Sequence, residues 1–388
     1  METHVTAKTG PLSGLKVIEM AGLGPAPMCA MLLADLGATV IRVDRRTPAD
    51  LGIQRPRKYD LLLRNRDVIG VDLKDPAAIE LVLTLVDKAD ILLEGFRPGV
   101  MERLGLGPDV ALGRNGRLVY GRVTGYGQDG PLAQAAGHDL NYVAMAGAIA
   151  ALGRPGQKPT VPISVIGDYG GGSLYLAFGV LAALFETGRS GKGQVVDAAM
   201  VDGVASLQTI FLGLLGAGMW QGERGNNLLD GGAHFYEVYE CADGEFISVA
   251  AVEQRFYDEL LERLEISAEQ IGPHTDPHNW PKGKAILAER FKRRPRAEWC
   301  EILEGTDVCF APVLSWGEAA KHPHLQQRGT FCEIEGVLQP AVAPRFSRTA
   351  PGAPVGPKEI TSRNNTAALE QWLDADAVEA LRRAGTIS

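Results

Sequence analysis

Three stretches of the chain carry side chains whose types and spacing could do chemistry. The first, Gly137-His138-Asp139-Leu140-Asn141-Tyr142, sets an imidazole beside glycine, after the turn-rich GYGQDGPLAQAA and ahead of a small apolar helix. An imidazole at the mouth of a helix can exchange protons near neutral pH, since its ordinary pKa is about 6.5; a histidine that merely buttresses a turn would look the same. The second, Gly167-Asp168-Tyr169-Gly170-Gly171-Gly172, places a carboxylate after the apolar run VPISVI and before an apolar helix. Glycines there let a ligand approach the backbone, and N–H groups at a helix start favour developing negative charge. An Asp in that place is equally a plain N-cap. The third is basic: Arg42, Arg45, Arg46, Arg55, Arg57, Lys58, Arg64 and Arg66 stand against Asp44, Asp50 and Asp60. Guanidinium forks match phosphate oxygens in pairs, so a small polyphosphate ligand suits the segment, with a solvated charged loop as the alternative.

Other patterns are weaker. Gly22 and Gly24 occupy the first two positions of a dinucleotide fingerprint and Asp44 the ribose-binding position, but Pro27 stands where the third glycine belongs, which argues for the βαβ fold without that cofactor. His274 and His278 have metal-like spacing, yet Pro273 and Pro277 break any helix that would align them, and His322-Pro323-His324 is a loop element; no metal is expected.

The elements that must hold these residues follow from the pattern. LKVIEMAGLGPAPMCAMLLADLGATVIRVD, residues 15–44, reads as strand, helix, strand, hence a parallel sheet. Strand-like runs recur at Val68–Leu73, Ile91–Glu94, Leu118–Val123 and Gln194–Ala198, and helical patterns at Ala77–Lys88, Tyr142–Ala151 and Gly172–Glu186. An apolar helix from Met200 to Met219 leads into GERGNNLLDGG, an exit from this α/β half. A hairpin turning at Asp243-Gly244 and helices near Glu253–Leu264 and Lys282–Phe291 then suggest a smaller α+β domain; Ala343–Pro357 reads as linker and a last helix runs near Asn365–Arg383. These readings give 1–199 as a large domain, 200–233 as linker, 234–325 as a small domain, 326–342 as a return linker and 343–388 as a segment completing the large domain.

At 388 residues, 45% hydrophobic and 22% charged, the chain can bury a sizeable core and is not of the disordered or disulfide-stapled class. Its net charge of −8 gives no reason to gather on nucleic acid or anionic lipid. Five scattered cysteines without a CxxC pair suit a reducing compartment, and the polar N-terminus shows no secretory h-region. The longest apolar stretch, Ser173–Phe185, falls short of the roughly 20 residues of a bilayer-spanning helix and reads as buried. A cytoplasmic protein without nucleic-acid or membrane partners is the expectation.

In order and spacing, PLSGLKVIEMAGLGPAP, LLLRNRDVIGVDLKD, EGFRPGVMERLGLGP, TGYGQDGP, GHDLNY, GDYGGG and SGKGQVVDAAMVDG resemble the family III coenzyme-A transferases, from about Pro11 to about Ser347. GHDLNY with GDYGGG resembles the alpha-methylacyl-CoA racemase branch. The resemblance implies a Rossmann-like large domain completed by the C-terminal segment, a small α+β domain, and long linkers through which two subunits interlock as a homodimer. It makes the basic segment a coenzyme-A site, with Arg45 or its neighbours near the adenosine phosphates. Val71, Asp72, Leu73 and Lys74, Gly95, Phe96 and Arg97, Arg103, and Gly137, His138, Asp139, Leu140, Asn141 and Tyr142 would line the rest. It assigns catalysis to Asp168 and His138, with Glu253 supporting the histidine. Coenzyme A would enter as part of the substrate, and no resident cofactor is implied.

The chemistry fits that assignment. Inverting a stereocentre next to a thioester removes an α-proton from one face and returns a proton to the other, which needs two bases on opposite sides of one carbon. The enolate between them needs preorganised N–H donors, and the glycine-flanked turn at Asp168 is the place to expect them. A CoA-transferase that uses Asp168 as nucleophile is the rival reading; it needs the carboxylate but no second base.

Overall fold

The computed structural model describes residues 9–47 and 52–387. They form two compact units: one from the chain up to Ala146, Pro162–Leu207 and Gly329 onward, the other from Gly147–Val161 and Gln208–Arg328. The first unit therefore ends later than residue 199 and loses a short stretch after Ala146 to the second.

The first unit is built on six parallel strands, β1 (Lys16–Met20), β2 (Thr39–Arg45), β3 (Asp67–Val71), β4 (Ile91–Glu94), β5 (Val119–Thr124) and β6 (Gln194–Ala199), in the order β3-β2-β1-β4-β5-β6. This is the doubly wound order of a Rossmann sheet, with its reversal between β1 and β4. Helix α1 (Pro25–Asp35) crosses from β1 to β2, and α2 (Pro76–Val86) from β3 to β4. Two separate apolar clusters, one containing Ile18, Met20 and Ile41 and the other Val17, Val40 and Ile91, lie along the alternating residues of these strands. That is why the strands read as near-continuous apolar runs. Two charges break the runs and are answered across the sheet. Glu19 on β1 stands in register with Arg42 on β2, and Glu94 on β4 with Arg122 on β5. Both carboxylates are fully buried and ion-paired, Glu19 also to Arg66.

Beyond β5 the elements differ from the periodicity. The expected helix at Tyr142–Ala151 starts earlier and stops sooner, as α3 (Asp139–Met145), because Gly147 turns the chain at φ 88°. The expected helix at Gly172–Glu186 is longer: a wide π-type segment at Val165–Leu174 runs into α4 (Tyr175–Ser190). Together they span 26 residues, long and apolar enough by length and composition to cross a bilayer, so the length argument from Ser173–Phe185 does not hold. Nor is the helix buried all round: Leu176 and Val180 face the core, while Leu174, Phe178 and Phe185 are exposed. Instead of one helix over Met200–Met219 there are two, α5 (Met200–Leu207) and α6 (Thr209–Gly216), and the chain passes from the first unit to the second between them. The return segment carries a hairpin, Phe331–Ile334 with Val337–Pro340. The C-terminal helix is broken into Ser362–Leu369 and Ala375–Arg383, where the Asp374 carboxylate accepts the Ala377 N–H at 2.8 Å and starts a new helix.

In the second unit the hairpin at Asp243-Gly244 joins Tyr236–Glu240 to Phe246–Ala250, and Phe310–Pro312 adds a third antiparallel strand. Helices Gln254–Arg263 and Trp280–Phe291 pack over it.

Candidate active site

Where the strand order of the first unit reverses, the loops after β1 and β4 diverge and leave a crevice, as such sheets do. A cavity of about 800 Å³ fills it. Gly22 and Gly24 line it from the β1 loop, Gly95, Phe96 and Arg97 from the β4 loop, and Thr124, Gly125 and Tyr126 from the end of β5. Gly137, His138, Asn141 and Tyr142, then Asp168 and Met200, close the far wall.

His138 and Asp168, far apart in sequence, thus share one cavity. His138 is the residue before α3, where the Asn141 side chain accepts its backbone N–H at 3.0 Å and fixes the turn. Tyr142 anchors the same turn, its hydroxyl donating to the Gly137 carbonyl. A Cβ on Gly137 would lie 2.7 Å from the Tyr142 ring, so this position takes no side chain. The imidazole itself is exposed, as proton exchange requires.

Asp168 does not cap a helix. It lies inside the first turn of the π-type segment, whose start is Val165. Segments of this kind recur at functional sites because the wider turn re-aims side chains. Its backbone N–H is donated to the Asp139 carboxylate at 2.7 Å, so this N–H cannot serve as the expected enolate donor. On the other side, a Cβ on Gly24 would be 3.0 Å from Asp168 Oδ2, which brings the carboxylate against the start of α1. Burial first, then the neighbouring Asp139 charge, push the Asp168 carboxyl up to about 6, against the pull of His138.

The dinucleotide reading fails on the same contacts. In a fingerprint site the start of α1 meets pyrophosphate; here the Asp168 carboxylate abuts it. Asp44, the expected ribose ligand, is held by Arg42 at 3.1 Å and Arg57 at 3.4 Å.

The basic segment divides by environment. Arg64 is buried against Asp35 at 2.6 Å, Arg42 and Arg66 pair with Glu19, and Arg46 donates to the carbonyls of Gly385 and Thr386. Arg55 pairs with Asp60 at 2.6 Å. These arginines hold the fold; Arg45 and Arg97, exposed at the cavity, and the half-buried Arg57 are the cations it offers a ligand. Lys58 is exposed, and Asp50 lies outside the described residues.

A family model, CoA-transferase family III, matches residues 12–358. The chain belongs to that family. It is 42% identical over 356 residues to the alpha-methylacyl-CoA racemase of Mus musculus, covering 92% of this chain and 91% of that protein, and 42% identical over 341 residues to that of Homo sapiens, 87% of each. It is 30% identical over 375 residues to an acetyl-CoA:oxalate CoA-transferase of Acetobacter aceti, 91% of this chain and 95% of the other. A crystal structure of a CAIB/BAIF family protein from Brucella suis superposes with a TM-score of 0.80 at 25% identity, covering 94% of this chain and all of that one.

For a family III protein the residues read from sequence fall into four groups. Arg45, Gly95, Phe96, Arg97, Gly137, His138, Asn141, Tyr142 and Asp168 line the cavity. Val71, Asp72, Leu73, Lys74, Arg103 and Leu140 are outside its walls: Val71 is buried at the end of β3, and Asp72 Oδ1 accepts the Lys74 N–H at 3.0 Å. Asp139 is buried and turned onto Asp168. Glu253 belongs to the second unit, exposed where the Gln254–Arg263 helix begins. His274 stacks on Tyr257 in that unit's core, whereas His278 is exposed, so the two do not share an environment. Sequence reasoning missed Gly24 as a wall of the carboxylate site and Glu94 beneath the cavity, where it accepts the Phe96 N–H at 2.7 Å and the Arg122 guanidinium. The alternation of proline with small residues after Gly24 was the available signal for the first; a buried acid within a strand was the signal for the second.

Proposed function

We propose that this family III protein interconverts (2R)- and (2S)-2-methylacyl-CoA thioesters by moving the α-proton through an enolate, with His138 and Asp168 as the two bases. The observation that carries this reading is that an imidazole and a carboxyl raised to about 6 line one cavity. A carboxyl in that range keeps its proton much closer to neutral pH than an ordinary one, so Asp168 can serve as acid as well as base opposite the imidazole. A neutral imidazole facing a carboxylic acid serves one enantiomer, and an imidazolium facing a carboxylate serves the other. Identity of 42% to two alpha-methylacyl-CoA racemases supports the substrate class.

Coenzyme A is held by Arg45, Arg57 and Arg97, the cations at the cavity. The working form is a homodimer, in which Glu253 of one subunit supports His138 of the other. Exposed apolar residues on each unit support an interface, Phe178 and Phe185 on the first, Ile210, Leu212 and Met219 on the second. Analytical ultracentrifugation tests this directly: a fully active monomer contradicts it.

The deciding experiment is incubation of pure (2R)-methylacyl-CoA in D₂O without an acceptor acid, with chiral analysis and mass spectrometry. Racemisation with deuterium at the α-carbon is expected. Unchanged substrate, with CoA exchange once a free carboxylic acid is added, moves the assignment to a transferase in which Asp168 is the nucleophile.

A further inference from the structure

Asp139 follows the proposed catalytic histidine directly, yet it is only 5% exposed and does not line the cavity. Its Oδ1 accepts the backbone N–H of Asp168 at 2.7 Å and lies 2.5 Å from where a Cβ on Gly167 would stand. Glycine at 167 is what lets the two chain segments close to this distance. One carboxylate thereby ties the start of α3, which carries His138, to the π-type segment, which carries Asp168.

We propose that Asp139 is a positioning residue for Asp168: it anchors the Asp168 backbone and, by its fixed negative charge, sets the protonation state in which Asp168 meets the substrate. This rests on the two-base reading above. Two carboxylates in one partly buried site do not both ionise freely, so the one facing the substrate keeps its proton to higher pH. The direction is already visible in Asp168, where burial and the Asp139 charge outweigh His138. The phenols of Tyr142 and Tyr169 are near enough to feel the Asp168 charge but are themselves pushed up by burial, Tyr142 to about 12. Gly24, just before α1, stands against the Asp168 carboxylate, and Pro25 of α1 with Met200 and Val204 of α5 packs against Gly171 and Gly172 of the same segment; none of these titrates. Asp197 on β6 interacts instead with the Gln128 N–H, Arg122, Asp202 and Asp129. The charge that Asp139 supplies therefore has no substitute around Asp168 among the described residues.

Asp139→Asn separates the two roles, because the amide oxygen still accepts the Asp168 N–H while the charge is gone. The kcat/KM profile for α-proton exchange is bell-shaped if the His138–Asp168 pair works with one proton, and its acidic limb marks the second protonation. In Asp139→Asn that limb moves to lower pH by about one unit or more, with a smaller move of the basic limb; a purely structural Asp139 would lower the whole curve without displacing it. Infrared titration of the protonated carboxyl band lost in Asp168→Asn gives the same quantity without turnover. The band titrates near pH 6 in the unmodified enzyme and about one unit or more lower in Asp139→Asn. If the enzyme leaves the stereocentre untouched, the two-base reading falls while the infrared titration still decides what Asp139 does to Asp168. Should Asp139→Asn not fold, Asp139→Ala, which removes the same charge, takes its place. An Asp168 band at its unmodified pH in the variant that folds overturns the proposal.

Discussion

Gly24→Ala is the substitution whose effect follows most directly from the geometry. Gly24 has φ 63° and ψ −111°, a conformation that costs a residue with a Cβ about 1–3 kcal/mol. The new methyl would meet Asp168 Oδ2 at 3.0 Å and Cγ at 3.3 Å, closer than side chains normally pack, so the carboxylate must give by a few tenths of an ångström. It cannot carry its backbone along, because the Asp168 N–H is held by Asp139 at 2.7 Å and the Asp168 carbonyl accepts the Ser173 hydroxyl at 3.0 Å. The side chain must rotate, which moves its oxygens away from the α-carbon. A displacement of about 1 Å can cost about 10²-fold in rate, so a smaller one should cost roughly 10-fold or somewhat more. The assay pairs α-deuterium incorporation at saturating substrate with a urea unfolding midpoint. Gly14→Ala is the control: Gly14 has φ 94° with nothing within 4 Å of a new Cβ, so backbone strain appears there without any effect on the site. A Gly24→Ala enzyme that loses stability as Gly14→Ala does, yet exchanges the α-proton at the unmodified rate, refutes the claim that Gly24 shapes the carboxylate site.

Other expectations follow from the same structure. His138→Ala should abolish racemisation while leaving slow α-proton exchange with retained stereochemistry, and chiral analysis that finds racemisation at the unmodified rate removes the second base. Arg45→Ala should weaken free CoA binding and raise KM more than it lowers kcat, as loss of uniform binding does, whereas unchanged calorimetric affinity makes Arg45 a solvated charge. Arg64→Ala should do the opposite, costing about 3–5 kcal/mol in a urea melt by leaving Asp35 buried and unpaired, with CoA affinity kept. In the second unit, burial holds the fully enclosed His234 down at about 4, below its ordinary 6.5. The unfolded chain therefore takes up this proton first as pH falls. His234 by itself costs about 2 kcal/mol between pH 7 and 5, while the Asp168 carboxyl, raised to about 6, works in the opposite direction, so a change in urea midpoint between those two pH values that is the same in His234→Gln as in the unmodified protein would contradict the burial of a neutral imidazole.

What the sequence by itself determined is the set of local elements and the chemistry-bearing groups. Alternation of apolar strands with helical periods placed β3, β4, β5 and β6 within a few residues of where they lie, because local periodicity reflects which face of each element is buried. His138 and Asp168 were legible because each stands among glycines at the edge of an apolar element. Tertiary structure alone decided the rest, since those contacts join residues that no local period relates. The strand order puts β1 beside β4 and so opens the cavity between two loops more than 70 residues apart. Register decides which charges are structural: Arg42 stands opposite Glu19, buried and paired with it at the cavity wall, while Arg45, three residues later on the same strand, is exposed at the cavity. Helix type is decided the same way. Asp168 reads locally as a cap, but the close packing of Gly171 and Gly172 against Val204 and Met200 accompanies a wider turn that begins before it. The tie from Asp139 to Asp168 depends on Gly167 having no side chain, a condition that acquires meaning only once α3 lies against that turn.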